Sequence, residues 1–572
     1  MSKFWAIDLG TTNSLVARWN DVTDEPEMVS LPEICRRLPE SSSQLQIPSL
    51  VPSCVLFPPA RRFRDRLGSH PLLLKRFFIG KQAIIGQPAI DHWVSRSATG
   101  FVPVFKPYLG RESLRVLARA RRRPVTTRQT AAAFMRELLA AVTAATKERP
   151  REVVFTTPVD SYEPYRAELK AIAERLGIRR FRTLDEPVAA ALGYGVGRGD
   201  PSTVLAINFG GGTFDAAVIE LDRDSLSSGS CRVIAKEGIP MGGNLVDAWL
   251  VEGFCNKLGY DLRNAIAPGA PGSQASRMEW WYQALTREAC RVKESLYTRP
   301  QERFLVIPPE DMRRLDAACD ARAEVDFTRE DLTELLTRNG LYRAIDTVVD
   351  RVIEQAAAQG VKSEDVEDVI MVGGSTLLPE VYSRIAARFG RDRMRAWQPF
   401  EAVAFGGCIF AAGAIEPTDV ILHDYAFVTY DRKTHEPEYQ IIVPQGTRIP
   451  TAEPVWRRHV TPTCPLGEPE RIYKLVICEM GRAHDDHRRF VWDQSGRLHT
   501  VGGEQKQKTV IVPLNEANPT MGYLEPPHHP RERAARLEIE FAVNEDRWLT
   551  ASVFDLKVRK HLMVEEPVVR LQ

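Results

Sequence analysis

The chain has 572 residues, of which 44% are hydrophobic and 26% charged. That length exceeds what one hydrophobic core serves and points to about three or four domains. Lys and Arg number 76 against 75 Asp and Glu, a formal net charge of +1, which excludes a global electrostatic drive toward nucleic acid or an anionic membrane.

The nine cysteines stand singly, without a C-x-x-C, so the pattern argues against a zinc site or disulfide framework and for a reducing compartment. Only Met-Ser-Lys precedes the first apolar run, which leaves no room for a signal or transit peptide. No stretch reaches the roughly 18 apolar residues of a membrane span. A cytoplasmic location is expected.

In chain order, "FWAIDLGTTNSLVARW" (4–19) reads as strand, glycine turn, strand. Residues 20–100 are irregular, with short strands around "VPSCVLF" and "FFIGKQAIIG". The basic run "RARRRP" from Arg119 to Pro124 reads as a solvated stretch before a helix that starts at Thr126 or Thr127 and continues to Lys147. "REVVFTTP" is a strand, and "EPYRAELKAIAERLG" is a helix ended by Gly177. "FRTLDEPVAAALGYG" enters another helix with a proline just inside its start. "VLAINFGGGTFDAAVIEL" (204–221) then repeats the glycine hairpin of residues 4–19, which predicts a duplicated α/β unit around a ligand. Residues 244–360 read as mostly helical, with Thr328 capping "REDLTELL". "VEDVIMVGGSTLLPEVYSRIAARFG" gives strand, glycine turn and helix, and "EAVAFGGCIFAAGAI" a last helix. Beyond Ile415 the pattern turns alternating and proline-rich: "YQIIVP", "RIYKLVICEM", "TVIVPL", "LEIEFAV" and "LTASVFD" predict a separate antiparallel domain.

Three loops carry the chemistry: "DLGTTNS" (8–14), "NFGGGTFD" (208–215) and "VGGSTLLP" (372–379). Each follows a strand. Glycines let the backbone approach a ligand closely, successive N–H groups form an anion-binding concavity, and threonine hydroxyls add donors. Three such loops at comparable strand ends point to nucleotide binding.

These residues also carry a resemblance. "AIDLGTTNS", "DEPVAAALGYG", "INFGGGTFD" and "VIMVGGSTLLP" resemble the phosphate-1, connect, phosphate-2 and adenosine motifs of the 70-kDa heat-shock protein family. "PMGGNLVDAWLV", "QPFEAVAFGGCIFAAGA", the connector "DVILHDYAF" and "LEIEFAVNEDRWLTASVFD" fit the same family in the same order. The resemblance implies an actin-like (duplicated RNase H-like) α/β nucleotide-binding domain over 1–415, with a helical subdomain at about 244–360. An apolar linker over 416–425 and an antiparallel β-sandwich over 426–572 that binds an extended peptide would follow. It implies ATP or ADP with Mg2+ as cofactors, an unfolded polypeptide or dedicated protein as partner, and a J-domain protein or exchange factor as possible regulators.

By position, Asp8 matches the carboxylate that holds magnesium through water. Gly10, Thr11, Thr12 and Asn13 lie beneath the phosphates. Glu186 matches the acidic residue that positions the metal or the attacking water. Gly210, Gly211, Gly212 and Thr213 match the second phosphate loop, which by the resemblance puts Thr213 near the γ-phosphate. Gly242, Gly243, Lys293, Gly373, Gly374 and Ser375 match contacts to ribose and adenine, and Pro158 matches a proline that couples nucleotide state to the domain.

Three departures stand out. Asn208 replaces an aspartate at the metal. Ile90, or Ile84 in a shifted register, falls where the resemblance places a catalytic lysine, with Lys81 nearby and Lys106 assigned to a structural "FKPYLG" stretch. Leu377 replaces an arginine that stacks on the base, while Cys290 and Glu294 alter the pocket around Lys293. Losing a cation and a carboxylate around the phosphates makes slow or absent hydrolysis the expectation, since each such group commonly contributes about 2 to 4 kcal/mol. His423 interrupts the apolar linker and is expected to be solvated. The pair in "PPHHPRERAAR" reads as a solvated loop. Tyr473, Leu475 and Ile477 are candidates for a peptide-binding face or for the domain's own core. The family's helical lid is expected to have no counterpart. Two functional readings follow: a lidless chaperone-like protein, or a pseudo-ATPase interaction module that uses nucleotide as a structural ligand.

Overall fold

The computed structural model describes residues 4–571 apart from 37–49, 59–82, 97–99, 111, 121–122, 160, 162, 196–201, 222–229, 258–271, 307–322, 396–399, 414–415, 419–420, 422, 431–433, 435, 465–466, 483–488, 493–497, 502–508, 517–518 and 545–546. Two compact units divide the chain. The first holds Met1–Cys231, Lys236–Glu416 and Arg488–Gly502, and the second Arg232–Ala235, Pro417–His487 and Gly503–Gln572.

Two sheets of one design build the first unit. Strands β1 (Phe4–Asp8), β2 (Asn13–Asn20), β3 (Glu25–Met28), β4 (Glu152–Thr157) and β5 (Arg180–Asp185) lie in the order β5-β4-β1-β2-β3. Strands β6 (Ser202–Phe209), β7 (Phe214–Leu221), β8 (Ser230–Ile239), β9 (Asp368–Val372) and β10 (Met394–Arg395) lie in the order β10-β9-β6-β7-β8. In each sheet the first strand pairs antiparallel with the next along the chain and parallel with a later one, β1 with β2 and β4, β6 with β7 and β9. The duplication expected from the two glycine hairpins is thus a duplication of strand order. From Val204 to Phe209 every residue of β6 is buried, because both faces of a covered parallel sheet require apolar side chains.

The helices are α1 (Gln87–Arg96), α2 (Thr127–Thr146), α3 (Glu163–Arg175), α4 (Glu186–Gly195), α5 (Gly243–Lys257), α6 (Gly272–Leu296), α7 (Arg329–Arg338), α8 (Leu341–Ala358), α9 (Val381–Phe389) and α10 (Ala402–Ala412). Capping boxes, Thr126 with Gln129 and Thr328 with Asp331, start α2 and α7, satisfying N–H groups that the first turn leaves free. Gly177 ends the α3 segment at φ +88°. Helices α4 and α10 approach through glycine: a Cβ on Gly406 would lie 1.7 Å from Ala189 O, and one on Gly193 2.1 Å from Ala402 O. Gly407 meets Ala6 and Thr156 of the first sheet. An alanine at either crossing would force the helices apart.

Two local readings need correction. The stretch read as helical contains an antiparallel hairpin, Gln301–Val306 with Ala323–Thr328, whose short strands give too little alternation to register beside long helices. The basic run takes part in a second hairpin, Val116–Ala120 with Arg123–Thr126, instead of leading straight into α2. The residues of "FFIGKQA" before Ala83 lie outside the described residues.

The second unit is antiparallel throughout its described pairings. Strands β11 (Asp424–Tyr430), β12 (Pro437–Val443), β13 (Trp456–Val460), β14 (Glu470–Leu475), β15 (Ile477–Arg482), β16 (Thr509–Pro513), β17 (Thr520–His528), β18 (Leu537–Val543), β19 (Trp548–Asp555) and β20 (Lys560–Arg570) form the sheets β12-β11-β15-β16 and β13-β18-β19-β20, with β14 paired to β17. Both sheets feed one core: Tyr425, Phe427, Ile442 and Ile477 meet Trp456, Ile539, Phe541 and Leu549. In β18 Leu537, Ile539, Phe541 and Val543 are buried and alternate with partly exposed residues, the period of two that a one-sided sheet imposes. "RIYKLVICEM" is two strands, with the break at Val476. Tyr473, Leu475 and Ile477 belong to the core. His528 is 1% exposed, with Nδ1 3.3 Å from Glu532, so it is part of the fold, contrary to a solvated loop. His423 is likewise buried.

Candidate functional site

The glycine loops converge. Gly10 turns tightly, since a Cβ there would lie 2.0 Å from Asn13 O. Across the cleft, a Cβ on Gly211 would lie 2.0 Å from Thr12 Oγ1 and one on Gly212 2.4 Å from Thr11 Oγ1. Thr12 Oγ1 donates to Asn244 Oδ1 at 3.2 Å. Gly210 N–H donates to Thr213 O, and Gly243 and Asn244 N–H donate to Gly210 and Gly211 O. Gly242 packs directly on the backbone of Gly211 and Gly212, where a Cβ would lie 2.4 to 2.5 Å away. Gly373, at φ +88°, covers Phe209 O, and Ser375 Oγ donates to Gly210 O at 2.8 Å. Lys293 Nζ donates to Gly243 O at 3.0 Å and pairs with Asp247 at 2.7 Å. Gly374 sits apart from these contacts, facing Phe400.

Below the loops lies a buried charged cluster. Lys106 Nζ is 2.7 Å from Glu186 Oε1, with both side chains nearly fully buried. Asn208 Nδ2 donates to Glu186 Oε2 at 2.6 Å. Thr156 Oγ1 donates to Asp8 Oδ1 at 2.7 Å, and Val159 N–H, next to Pro158, donates to Asp215 Oδ1 at 3.0 Å. Burial, and then the charge of Glu186, push Asp8 up to about 6 and hold Asp215 well above the usual carboxylate range. Burial opposes the Lys106 ammonium, yet Glu186, Tyr165 and Asp8 together raise it above an ordinary lysine. One ammonium therefore serves three carboxylates, and an amide occupies the place of a fourth.

The cluster holds a cation that the sequence reading placed elsewhere: Lys106, read as part of a structural stretch, lies 2.7 Å from Glu186 Oε1. Ile90 lies on α1 and packs against the apolar group of Cys54, Leu56, Trp93 and Phe101; that position is a packing position. Lys81 lies outside the described residues. Sequence reasoning also passed over Asp215, Asn244 and Asp247. Asp215 ends the very motif "NFGGGTFD", so its signal was available. The destination of Lys106 was not, because Glu186 lies 80 residues away.

The residues fit a hydrated Mg2+. Asp215 Oδ2 is buried with no hydrogen-bond partner, a position a metal-bound water would satisfy. Among the described residues no group of three or more His, Cys, Asp or Glu is close enough to grip a bare ion. Asp8, Glu186 and Asp215 suit a hexahydrate held through its waters, the habit of Mg2+. Beyond the loops, a cavity of about 820 Å³ is lined by Tyr297, Leu377, Pro379 and one face of α7, within reach of Ser375 and Lys293 by two and four residues of chain.

Two copies of one strand order, each offering a glycine hairpin, define the actin-like class of nucleotide-binding fold. A family model described as Hsp70 protein matches residues 81–460, and the chain belongs to that family. It is 26% identical over 466 residues to chaperone protein DnaK 1 of Synechococcus sp., covering 79% of this chain and 55% of that one. It is 28% identical over 456 residues to the chaperone protein HscA homolog of Paracidovorax citrulli, covering 78% and 64%. To the mitochondrial heat shock protein SSC3 of Saccharomyces cerevisiae it is 26% identical over 306 residues, covering 52% and 43%. The chain thus spans between about two fifths and two thirds of the length of these relatives.

Proposed function

We propose that this chain is a chaperone-like protein that binds ATP or ADP with Mg2+ between the 10–13 and 210–213 loops and hydrolyses ATP slowly. The observation that supports this best is the contact of Gly211 and Gly212 with Thr12 and Thr11, in a loop that follows Asn208 and its bond to the Lys106–Glu186 pair. Backbone N–H groups and threonine hydroxyls would hold the phosphates, while Asp8, Glu186 and Asp215 would hold the hydrated metal, which neutralises phosphate charge. Glu186 is fixed at both oxygens, by Lys106 and by Asn208, so it is oriented before any ligand arrives.

Lys106 restores the cation that slow hydrolysis would otherwise lack, so only Asn208 now argues for impaired chemistry. It is also the observation that favours the pseudo-ATPase reading, because an amide donates to Glu186 where a carboxylate would repel it and attract metal. In the β-unit, Tyr430, Tyr439 and Ile441 are 50%, 38% and 47% exposed. The pairings Val428 with Tyr439 and Ala426 with Ile441 put them on one outward face, which suits an extended polypeptide better than the buried Tyr473, Leu475 and Ile477. The linker over 416–425 would couple nucleotide state to the β-unit, and a J-domain protein or an exchange factor would act on that coupling.

The test is nucleotide affinity by calorimetry together with single-turnover hydrolysis for the wild type, Asn208→Asp and Lys106→Met. Expected are ATP binding by the wild type, slow turnover, faster turnover in Asn208→Asp and loss of turnover in Lys106→Met. A wild type that binds no nucleotide overturns the proposal. Binding with no turnover, and no gain in Asn208→Asp, selects the pseudo-ATPase reading.

A further inference from the structure

The described residues between Ile421 and Tyr425 are fastened to the second unit in turn. Ile421 is 1% exposed and lies in the β-unit core. Its N–H donates to Thr447 O at 2.8 Å, and its carbonyl accepts from Gly446 N–H at 2.7 Å. His423 is buried, with Nδ1 2.8 Å from Oε1 of Glu479. Tyr425 OH donates to the same oxygen at 3.3 Å, and Gln445 N–H donates to Asp424 Oδ1 at 2.8 Å.

Glu479 is the unusual member. It is fully buried on β15, opposite Tyr425 on β11. An acid on the inward face of a strand costs several kcal/mol unless it is well bonded, and an apolar residue would fill the same space more cheaply. His423, in the segment that leads into β11, and Tyr425, within β11, both bond to it. The apolar linker expected to carry a solvated histidine instead places that histidine on a buried acceptor.

We infer that Glu479 and His423 form a latch that keeps the interdomain segment on the β-unit, so that any withdrawal of that segment must first break a buried charged hydrogen bond. The latch rests on the second unit alone. Its consequence, that the β-unit competes with the nucleotide state for the segment, rests on the function proposed above.

Hydrogen–deuterium exchange on the full chain reads the latch directly at the amides of Ile421 and Gly446, which are bonded only while the segment is docked. In the wild type both exchange slowly. In His423→Ala both should speed up at least tenfold, while Phe541 and Ala551 in β18 and β19 keep their wild-type rates. A folded His423→Ala protein with unchanged rates at Ile421 and Gly446 overturns the latch, as does a wild type whose Ile421 exchanges at the free-peptide rate. If His423→Ala also speeds Phe541 and Ala551, the β-unit has loosened, and Glu479→Gln decides. It keeps an acceptor of the same shape without the charge, and the two amides should speed up severalfold; wild-type rates there overturn the inference. Added ATP separates the two proposals: if it leaves Ile421 and Gly446 unmoved while the variant effects hold, the latch stands and nucleotide coupling fails.

Discussion

At the scale of single residues, Asn208 and Lys106 carry opposite messages. Asn208 relieves crowding among acids, because its amide donates to Glu186 at 2.6 Å where an aspartate would add a charge. Asn208→Asp should therefore lower stability without nucleotide by about 1 to 3 kcal/mol, the cost of exchanging a buried bond for an unpaired group. Mg2+ with ATP should shrink that deficit, and single-turnover hydrolysis should rise by about 10²- to 10³-fold if the carboxylate supplies metal placement. Urea denaturation with and without Mg·ATP checks the first part; equal stability of variant and wild type under both conditions would show that Asn208 bears no electrostatic load. Lys106→Met leaves Asp8, Glu186 and Asp215 without their cation. Its expected cost is about 3 to 5 kcal/mol, as for breaking a buried ion pair from one side, readable as a fall in the urea midpoint.

At the scale of elements, α6 connects the glycine loops to the loop that precedes residue 37. With three nitrogen–oxygen contacts of 3.0 to 3.3 Å, Arg36 reaches Glu294 on α6, the residue that follows Lys293 and its hold on Gly243. Both side chains are about a third exposed, so the pair contributes on the order of 0.2 to 1 kcal/mol. Arg36→Ala should speed ADP release severalfold at most, measured by stopped-flow displacement of a fluorescent analogue; an unchanged rate would mean that the pair does not restrain the cleft. Glu294 stood out in the sequence as a change beside Lys293, but its partner Arg36 did not, as they lie 258 residues apart. The glycine loops were legible because the requirement is local: Gly10 and Gly373 need their conformation or close approach whatever surrounds them. Lys106, His423 and Glu479 were not, since each takes its meaning from a partner that only the fold brings near. The hairpin at 301–306 failed for another reason: its two short strands share their residues with the flanks of long helices, and the helical period dominates the window.

At the scale of the whole molecule, two units with separate cores should unfold as two transitions, and one buried carboxylate in each contributes to acid response with opposite sign. In the second unit Arg536 and Asp555 form a bonded pair with 1% and 0% of their side chains exposed. Burial alone would raise Asp555, but Arg536 and the N–H groups of Lys557 and Val558 outweigh it and hold the carboxyl below its usual value. A depressed native pKa stabilises above the unfolded value, about 3.9, and that stabilisation is lost as pH falls through the native value. In the first unit burial raises Asp247 to about 6, with Lys293 opposing. The native state then keeps a proton that the unfolded chain releases, so this group stabilises fully below the unfolded value and its contribution disappears as pH rises through about 6. Calorimetry from pH 7 to 3 should show the Asp247 contribution strengthening the first unit as pH falls to about 4, whereas the Asp555 contribution weakens the second below that point. Asp247→Asn should flatten the former slope. Asp555→Asn should flatten the latter and lower the second transition at pH 7 by the equivalent of about 3 to 5 kcal/mol. ATP at a hundred times its dissociation constant adds about 2.7 kcal/mol to whichever unit binds it. The transition it raises must be the one that Asp247→Asn alters and Asp555→Asn leaves alone; a rise in the other would place the nucleotide in the wrong unit.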